Sequence, residues 1–219
     1  MTLPNELPLF PLSVVLFPGM PLPLHIFETR YRRMLAFCLE KHAPFGVVLI
    51  HKGSEIGAPA ESYTIGTSAL ITDVKPTPEG TYNIDTVGCD RFRVQEITQQ
   101  APYIVARVQP YPFVHDVPAA SRVPGALRAL LDRYIEQLAR AVEQEEPPAS
   151  APADPPALAC LAAIVLQLPL PEKQHLLEIA SLDRLLTAET ALLRRELRLV
   201  EFMLRASACP VISGRFLAN

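Results

Sequence analysis

The side chains that most often carry chemistry are spread along this chain without a recognisable catalytic pattern. No two of the five histidines stand four residues apart, the spacing that presents two zinc ligands on one helix face. None of the nine glycines is followed by lysine, so the sequence contains no Gly-x-x-x-x-Gly-Lys phosphate loop. The sequence therefore predicts no metal, no cofactor and no ATPase activity.

The candidate nucleophilic residues also lack the sequence motifs that accompany them in known catalytic sites. Gly66-Thr67-Ser68 has no second glycine to complete a nucleophile elbow, so we expect Ser68 to be an ordinary strand residue. The four cysteines are widely spaced and form no Cys-x-x-Cys pair, which argues against a disulfide framework or a structural zinc site. We expect a protein that is not an enzyme.

The amino-acid composition limits the kinds of molecule that the protein is expected to bind. The net charge is −3 and only four lysines are present, which argues against nucleic acid or an anionic membrane as the partner. No window reaches about 18 uninterrupted apolar residues, so no transmembrane helix is predicted. No basic segment precedes the first apolar run, as a secretion signal requires, so we expect a cytoplasmic protein.

Prolines interrupt the apolar segment between Leu7 and Leu35 at positions 8, 11, 18, 21 and 23. Proline removes a backbone donor and clashes inside a helix. This segment is therefore predicted to be extended, to turn at Phe17-Pro18-Gly19-Met20 and to enter a helix that runs from about Phe27 to Lys41.

The rest of the first half favours short strands. Phe45–His51 is a nearly continuous apolar run typical of a buried strand. Residues 66–75 and 82–87 flank a turn around Pro78 and Gly80, which predicts a hairpin. Further strands are expected at residues 91–97 and 104–108, and several short strands joined by turns favour a small closed or rolled sheet.

The second half favours helices. Helical spacing of apolar residues begins at Pro124, Ala157, Pro171 and Asp183. Two apolar rows on the last helix predict either two neighbours in the fold, or one neighbour and a second copy in a weak homo-oligomer. The sequence thus predicts an α+β protein with a β-rich domain at 1–115 and a helical bundle domain at 116–219. A mobile Pro-rich loop is expected at about 146–157.

Several motifs in order resemble the Lon N-terminal domain, also called the Lon substrate-binding domain. The N-terminal ones are Leu7-Pro8-Leu9-Phe10-Pro11-Leu12, Val14-Val15-Leu16-Phe17-Pro18-Gly19 and Phe27-Glu28-x-Arg30-Tyr31. The later ones are Ile65-Gly66-Thr67, Gly88-x-x-Arg91-Phe92-Arg93-Val94 and Glu172-Lys173-Gln174 with Asp183-Arg184-Leu185. The resemblance covers about Leu7 to Leu204, and the Phe27–Tyr31 motif is more similar to stand-alone members than to full proteases.

The resemblance implies a fold and a class of function. It implies a β-rich pseudo-barrel of the PUA-like type with one helix, followed by a helical bundle. Full Lon proteases carry an ATPase module and a protease module with a Ser-Lys dyad beyond this domain, and this sequence contains neither. The implied function is to hold unfolded polypeptide or a protein partner, as an adaptor or modulator of proteolysis.

Four candidate peptide-binding residues lie at the predicted strand-to-helix junction: His25, Phe27, Glu28 and Tyr31. His25 is either a hydrogen-bonded junction side chain or a residue on the rim of a ligand groove. Glu28 is expected in the first helical turn, where the helix dipole favours a carboxylate. Periodicity predicts that Phe27 and Tyr31 are core residues. The prolines near 18–23 either leave an edge for an added peptide strand or block one.

Two further candidates, Arg91 and Arg93, flank Phe92 on a predicted strand. We expect a solvated face with an ion pair to Asp85 or Asp90. The alternative is a pair of guanidinium groups that grips carboxylates or backbone carbonyls of a bound chain.

Two other functions stay open at this point. A PUA-like barrel also serves RNA-binding proteins, although the acidic balance of the chain argues against RNA. A small molecule could also occupy a cleft between the barrel and the bundle, which would require a deep pocket.

Overall fold

A computed structural model of the chain describes residues 3–53, 61–114, 123–141 and 151–207. Six strands come first, with one helix among them. They are β1 (Glu6–Leu12), β2 (Pro21–Ile26), α1 (Thr29–Lys41), β3 (Phe45–Lys52), β4 (Glu61–Pro76), β5 (Tyr82–Gln99) and β6 (Ile104–Pro110). Four helices follow, namely α2 (Val123–Ala141), α3 (Pro155–Val165), α4 (Leu170–Glu178) and α5 (Leu182–Ser207). This order confirms the α+β class.

The strands close into a barrel because β5 pairs with both ends of the sheet. The sheet order is β2-β5-β4-β3-β1-β6, and β6 also pairs with β5. The closed ring therefore contains β5, β4, β3, β1 and β6, while β2 lies outside it on the edge of β5. The pairing of β1 with β3 is parallel, and the other pairings are antiparallel.

The barrel interior is filled by a small apolar cluster: Leu7, Leu9, Val48, Phe92, Ala106 and Val108. Two glycines make room for the central ring. A Cβ added to Gly66 would lie 2.9 Å from Cζ of Phe92 and 2.3 Å from the carbonyl oxygen of Val47, and a Cβ on Gly46 would lie 2.6 Å from the same Cζ. Any side chain at either glycine would overfill the core.

The predicted turn between β1 and β2 is confirmed. The Met20 N–H donates to the Phe17 carbonyl at 3.0 Å, and Gly19 has φ +81°. Pro18 followed by a residue with positive φ is the pattern of a type II turn, which explains the glycine. Gly19 also donates to the carbonyl of Gly88, so the turn lies directly against β5.

The hairpin between β4 and β5 is confirmed as well, with the Gly80 N–H donating to the Thr77 carbonyl at 3.1 Å. The strand lengths were underestimated. The segments 82–87 and 91–97, predicted as two strands, are parts of the single 18-residue strand β5. A β-bulge separates them, because Thr67 pairs with Arg91 while Ala69 pairs with Gly88. One extra residue on β5 is thereby accommodated without ending the strand.

Helix α1 covers the side of the barrel next to β2. It begins at Thr29, two residues later than predicted, and its buried residues are Tyr31, Met34, Leu35 and Cys38. Phe10 stacks on Tyr31 with a centroid distance of 3.9 Å. Burial raises the pKa of the Cys38 thiol to about 12, so this cysteine behaves as an inert core residue.

The helical half shares a hydrophobic cluster with the barrel. Helices α2, α3 and α5 pack on one another, and their cluster includes Val15, Phe17, Leu49 and Ile65 from the barrel half. The Gln174 amide in α4 donates to the Ile65 carbonyl at 3.1 Å. Ala159, Ala162 and Ala163 are fully buried, and their small side chains let α3 lie close to its neighbours.

The predicted Pro-rich loop ends earlier than expected. Ala151 is buried, Asp154 accepts a hydrogen bond from the Ala157 N–H at 3.1 Å, and α3 starts at Pro155. An acidic N-cap followed by proline in the first turn strongly favours the start of a helix. The predicted start at Ala157 was therefore two residues too late. The remainder of that loop, residues 146–150, lies outside the described residues.

No helix within the described residues is both long enough and apolar enough to cross a membrane. Helix α5, the longest of the described helices at 26 residues, carries exposed Leu199 and Phe202 near its end. Part of its second apolar row is therefore not covered by the described parts of this chain.

Glu189 in α5 is a polar residue in an apolar core. Its side chain has 0% exposure, and neither carboxylate oxygen has a hydrogen-bond partner among the described residues. Burial raises the pKa of this carboxyl well above its usual range, because the charged form loses its hydration. The folded state therefore holds a proton at pH values where the unfolded chain has released it.

We predict that Glu189→Gln stabilises the protein at neutral pH. The contribution of Glu189 to stability is highest below the usual carboxyl pKa and falls as pH rises toward the raised folded-state pKa. At pH 8 the variant should gain about 1–3 kcal/mol, because glutamine is neutral in both states and needs no proton uptake on folding, which costs about 1.4 kcal/mol per unit of pKa difference. Urea unfolding at pH 4 and pH 8 measures this, with the exposed Glu40→Gln as the control. An unchanged pH dependence in Glu189→Gln would contradict the prediction.

Candidate functional site

A groove of about 230 Å³ lies between the edge strand β2 and the start of α1. Its walls are apolar for the most part and come from three neighbouring segments. The lining residues are Phe10, Leu12, Pro23, Leu24, His25, Ile26, Phe27, Glu28 and Tyr31. The structure thus brings together the four candidates His25, Phe27, Glu28 and Tyr31, and we call this the β2–α1 groove.

Polar and aromatic contacts fix the rim of the β2–α1 groove. The Nδ1 atom of His25 lies 2.7 Å from Oδ1 of Asn83, and the imidazole stacks on Phe27 at 5.9 Å between ring centroids. Glu28 and Arg30 form an ion pair with 3.0 Å between Oε2 and Nε. The Arg30 guanidinium also lies 4.5 Å from the centroid of the Tyr31 ring.

Two of the predictions for these residues need correction. Phe27 is not a core residue, because 49% of its surface is exposed. It precedes the helix, so the helical periodicity that suggested burial does not apply to it. Glu28 occupies the N-cap position without a side-chain capping bond, and its carboxylate pairs with Arg30 instead. Tyr31 is 5% exposed, as predicted.

Arg91 does not lie on a solvated face, and that prediction is wrong. Its residue exposure is 4%, and Nη1 donates to the carbonyls of Leu177 and Ile179, both at 2.8 Å. Within the described ranges it forms no ion pair, and Asp85 pairs with Lys75 instead. The bulge in β5 breaks the alternation of the strand, so Arg91 and its neighbour Phe92 are both buried.

The alternative prediction for Arg91 identified the right chemistry with the wrong partner. The guanidinium does bind backbone carbonyls, but these belong to the C-terminal end of α4 in the same chain. Its carbon Cζ lies 3.6 Å from the ring centroid of Phe113 and 5.0 Å from that of Tyr111. Arg93 is exposed and stacks on the Tyr111 ring at 4.7 Å. Neither arginine lines the β2–α1 groove.

A second and larger cavity of about 530 Å³ lies between the barrel and α3, and we call it the α3 cleft. It is lined by Pro18, Gly19, Cys89, Asp90, Arg91, Tyr111, Pro112, Phe113, Pro152, Pro156, Ala157, Cys160, Leu161 and Ile164. Of these residues, only Arg91 was predicted from the sequence to belong to a binding site. Tyr111-Pro112-Phe113 lies just before the predicted domain boundary at residue 115, and its two aromatic side chains form part of the cavity wall.

The titratable groups of the α3 cleft do not form a catalytic set. Burial raises the pKa of Cys160 to about 12 and also raises the pKa of Cys89, so both thiols are neutral near pH 7. Burial lowers the pKa of Arg91 to about 10, which leaves it charged. Within the described parts of the chain, no three His, Cys, Asp or Glu side chains are grouped as metal ligands would be.

Comparisons with known proteins agree with the sequence motifs. The family model described as the ATP-dependent protease La (LON) substrate-binding domain matches residues 6–195. Lon protease 2 of Myxococcus xanthus is 32% identical over 205 residues, which cover 89% of this chain. The Lon protease of Anaeromyxobacter dehalogenans is 30% identical over the same length. The chain spans 24% of the length of each of these two relatives.

Solved structures show the same fold. The Lon N-terminal domain protein from Xanthomonas campestris superposes with a TM-score of 0.61 and 26% sequence identity, covering 85% of this chain and 97% of that chain. The N-terminal domain of the Mycobacterium avium complex Lon protease also has a TM-score of 0.61, at 16% identity, and supports the fold alone.

We predict that Arg91 is the main polar contact between the barrel and the helical half. Arg91→Met leaves two carbonyls without their donor, so the free energy of unfolding should fall by about 3 kcal/mol or more, given the usual strength of charge-assisted hydrogen bonds. Arg93→Met is the matched control and should cost less than about 1 kcal/mol, because an exposed cation–π contact is weak. Urea unfolding compares them, and equal losses would contradict the assignment.

Proposed function

Because this chain belongs to the Lon substrate-binding domain family, we propose that it recognises polypeptide, as an unfolded segment or a protein partner, without catalysing a reaction on it. The observation that carries the proposal is the β2–α1 groove, with half-exposed Phe27 at its mouth. A large aromatic side chain left half in water beside an apolar groove is typical of a binding surface.

The groove has the size of a pocket for one side chain. Its volume of about 230 Å³ is smaller than the roughly 300–1,000 Å³ of most small-molecule sites. Its floor is apolar, with Phe10 stacked under Tyr31. Its rim carries His25 and the Glu28–Arg30 pair, a polar ring of the kind that surrounds a buried anchor residue in protein interfaces.

The edge of β2 is better suited to binding one side chain of a polypeptide than to pairing with the polypeptide as an added β-strand. Among the described strands, β2 pairs with β5 alone, through Pro21 to Ile26. Pro21 and Pro23 have no N–H, and proline in an edge strand normally turns that missing donor outward. An added peptide strand would therefore find few backbone donors along this edge. We propose that a bound polypeptide inserts a large apolar side chain into the groove.

RNA binding is the weaker alternative. The stacked pair His25 and Phe27 could accept a base, but the cationic Arg30 next to it is already paired with Glu28. Nucleic-acid sites need several unpaired basic groups, and the whole chain carries a net charge of −3.

The cellular role follows as an extension of the same proposal. We propose that the protein works in the cytoplasm as an adaptor or modulator of a separate protease. We also propose that the β-rich part (1–115) supplies the groove and that the helical part (116–219) supports it through the shared hydrophobic cluster. These roles depend on polypeptide binding, which is the step to test first.

We predict that Phe27→Ser weakens the binding of unstructured, apolar peptides about tenfold, equivalent to about 1.4 kcal/mol. Phe202→Ser is the matched control, since Phe202 is 71% exposed in α5 and outside the groove. Fluorescence anisotropy at two salt concentrations, with a short RNA as a second ligand, measures both variants. An equal effect of the two variants, or binding only to RNA that collapses with salt, would overturn the proposal.

A further inference from the structure

The α3 cleft combines an apolar wall with a buried charge. Its volume of about 530 Å³ lies within the usual range for small-ligand sites, roughly 300–1,000 Å³. Phe113, Leu161 and Ile164 supply apolar surface, and prolines from three separate segments complete the wall. The cleft lies beside the bulge of β5, a feature that often accompanies functional sites.

Arg91 is the unusual member of this lining. It is 4% exposed, and within the described part of the chain only its Nη1 atom has hydrogen-bond partners. Its Nε and Nη2 atoms are buried donors without an acceptor among the described residues. No carboxylate of the described chain pairs with it, although buried charges are normally paired. An arginine of this kind attracts an anion into the apolar space next to it.

We propose that the α3 cleft binds an apolar group that carries a carboxylate. The apolar part packs on Leu161, Ile164 and Phe113, and the carboxylate points toward the Arg91 guanidinium. The attraction acts through charge across a medium of low dielectric, where it is stronger than in water. A direct hydrogen bond to Nη2 also requires the partly buried Phe113 ring to move aside.

The other charged groups around the cleft set the orientation of the ligand. Asp90 lines the cleft and is exposed, so it repels a carboxylate left at the mouth. Asp154 caps α3 through the Ala157 N–H, which partly offsets its charge. Arg93 stacks on Tyr111, and Arg128 donates to the Pro152 carbonyl. The acid is therefore expected to lie inward, toward Arg91.

This chemistry has two sources. One is a free apolar carboxylic acid, and the other is the C-terminal carboxylate of a polypeptide that ends in an apolar residue. The second source rests on the proposed polypeptide binding, and the first does not. Both share the requirement for an ionised carboxylate next to an apolar group.

The test compares ligands that differ only in charge. Isothermal titration of the full chain with 4-phenylbutyrate, 4-phenylbutanol and 4-phenylbutylamine should give the tightest binding for the acid, with the alcohol and the amine at least tenfold weaker. N-acetylated Leu-Phe dipeptides with a free or an amidated C-terminus distinguish the two sources. Binding of the free-acid peptide as tight as that of phenylbutyrate or tighter assigns the polypeptide source, and weaker binding assigns the free acid.

Variants locate the binding without disturbing Arg91. Ala157→Phe fills the cleft and should abolish binding of the acid, whereas Ala191→Phe on the exposed side of α5 should not change it. Asp90→Asn removes a negative charge at the mouth of the cleft. It should raise the affinity for the acid a few-fold and leave the affinity for the alcohol unchanged.

Two results would overturn the inference: equal affinity for acid and alcohol, or acid binding that survives Ala157→Phe. Phe27→Ser separates this site from the β2–α1 groove, because it should leave phenylbutyrate binding unchanged. Failure of the unsubstituted chain to bind unstructured apolar peptides, together with intact acid binding, would therefore refute only the proposed function.

Discussion

Strand β5 is shared by three neighbours, and the arrangement of the whole molecule depends on it. One edge of β5 pairs with β4 from Tyr82 to Arg93, while the other edge pairs first with β2 (residues 82–87) and then with β6 (residues 92–99). Between the residues of β5 that pair with β2 and those that pair with β6 lies a short unpaired stretch of this edge. The bulge falls within this stretch and directs the Arg91 side chain toward α4. The guanidinium then binds the carbonyls of Leu177 and Ile179 at the end of α4, so Arg91 anchors the helical half to β5.

The sequence predicts the element types well and the long-range contacts poorly. Proline spacing and the Phe17–Met20 segment correctly gave the first strands and their turn, because these are local effects. The bulge was not predictable, since it depends on how β5 pairs with β4, and it reversed the expected environment of Arg91. Phe27 was misassigned because helical periodicity was extended past the true helix start at Thr29.

The two cavities differ in the chemistry that they offer. The β2–α1 groove is small and lies at an edge, and its charged rim residues are paired with each other. The α3 cleft is larger and lies where the two halves of the protein meet, and its buried cation lacks a counter-ion among the described residues. The α3 cleft lies beside the bulge of β5, and the prolines of β2 leave few backbone donors along the edge next to the groove.

Hydrogen–deuterium exchange on the intact chain, with and without a saturating unstructured apolar polypeptide, tests the central claim most directly. Backbone amides at the groove report on occupancy without any substitution in the protein. The account predicts slower exchange at the His25 amide, which faces away from β5 in the alternation of β2, and at the first turn of α1, with no change in the exposed part of α5. Protection confined to other elements, or no protection at saturation, would contradict the claim that the β2–α1 groove binds polypeptide.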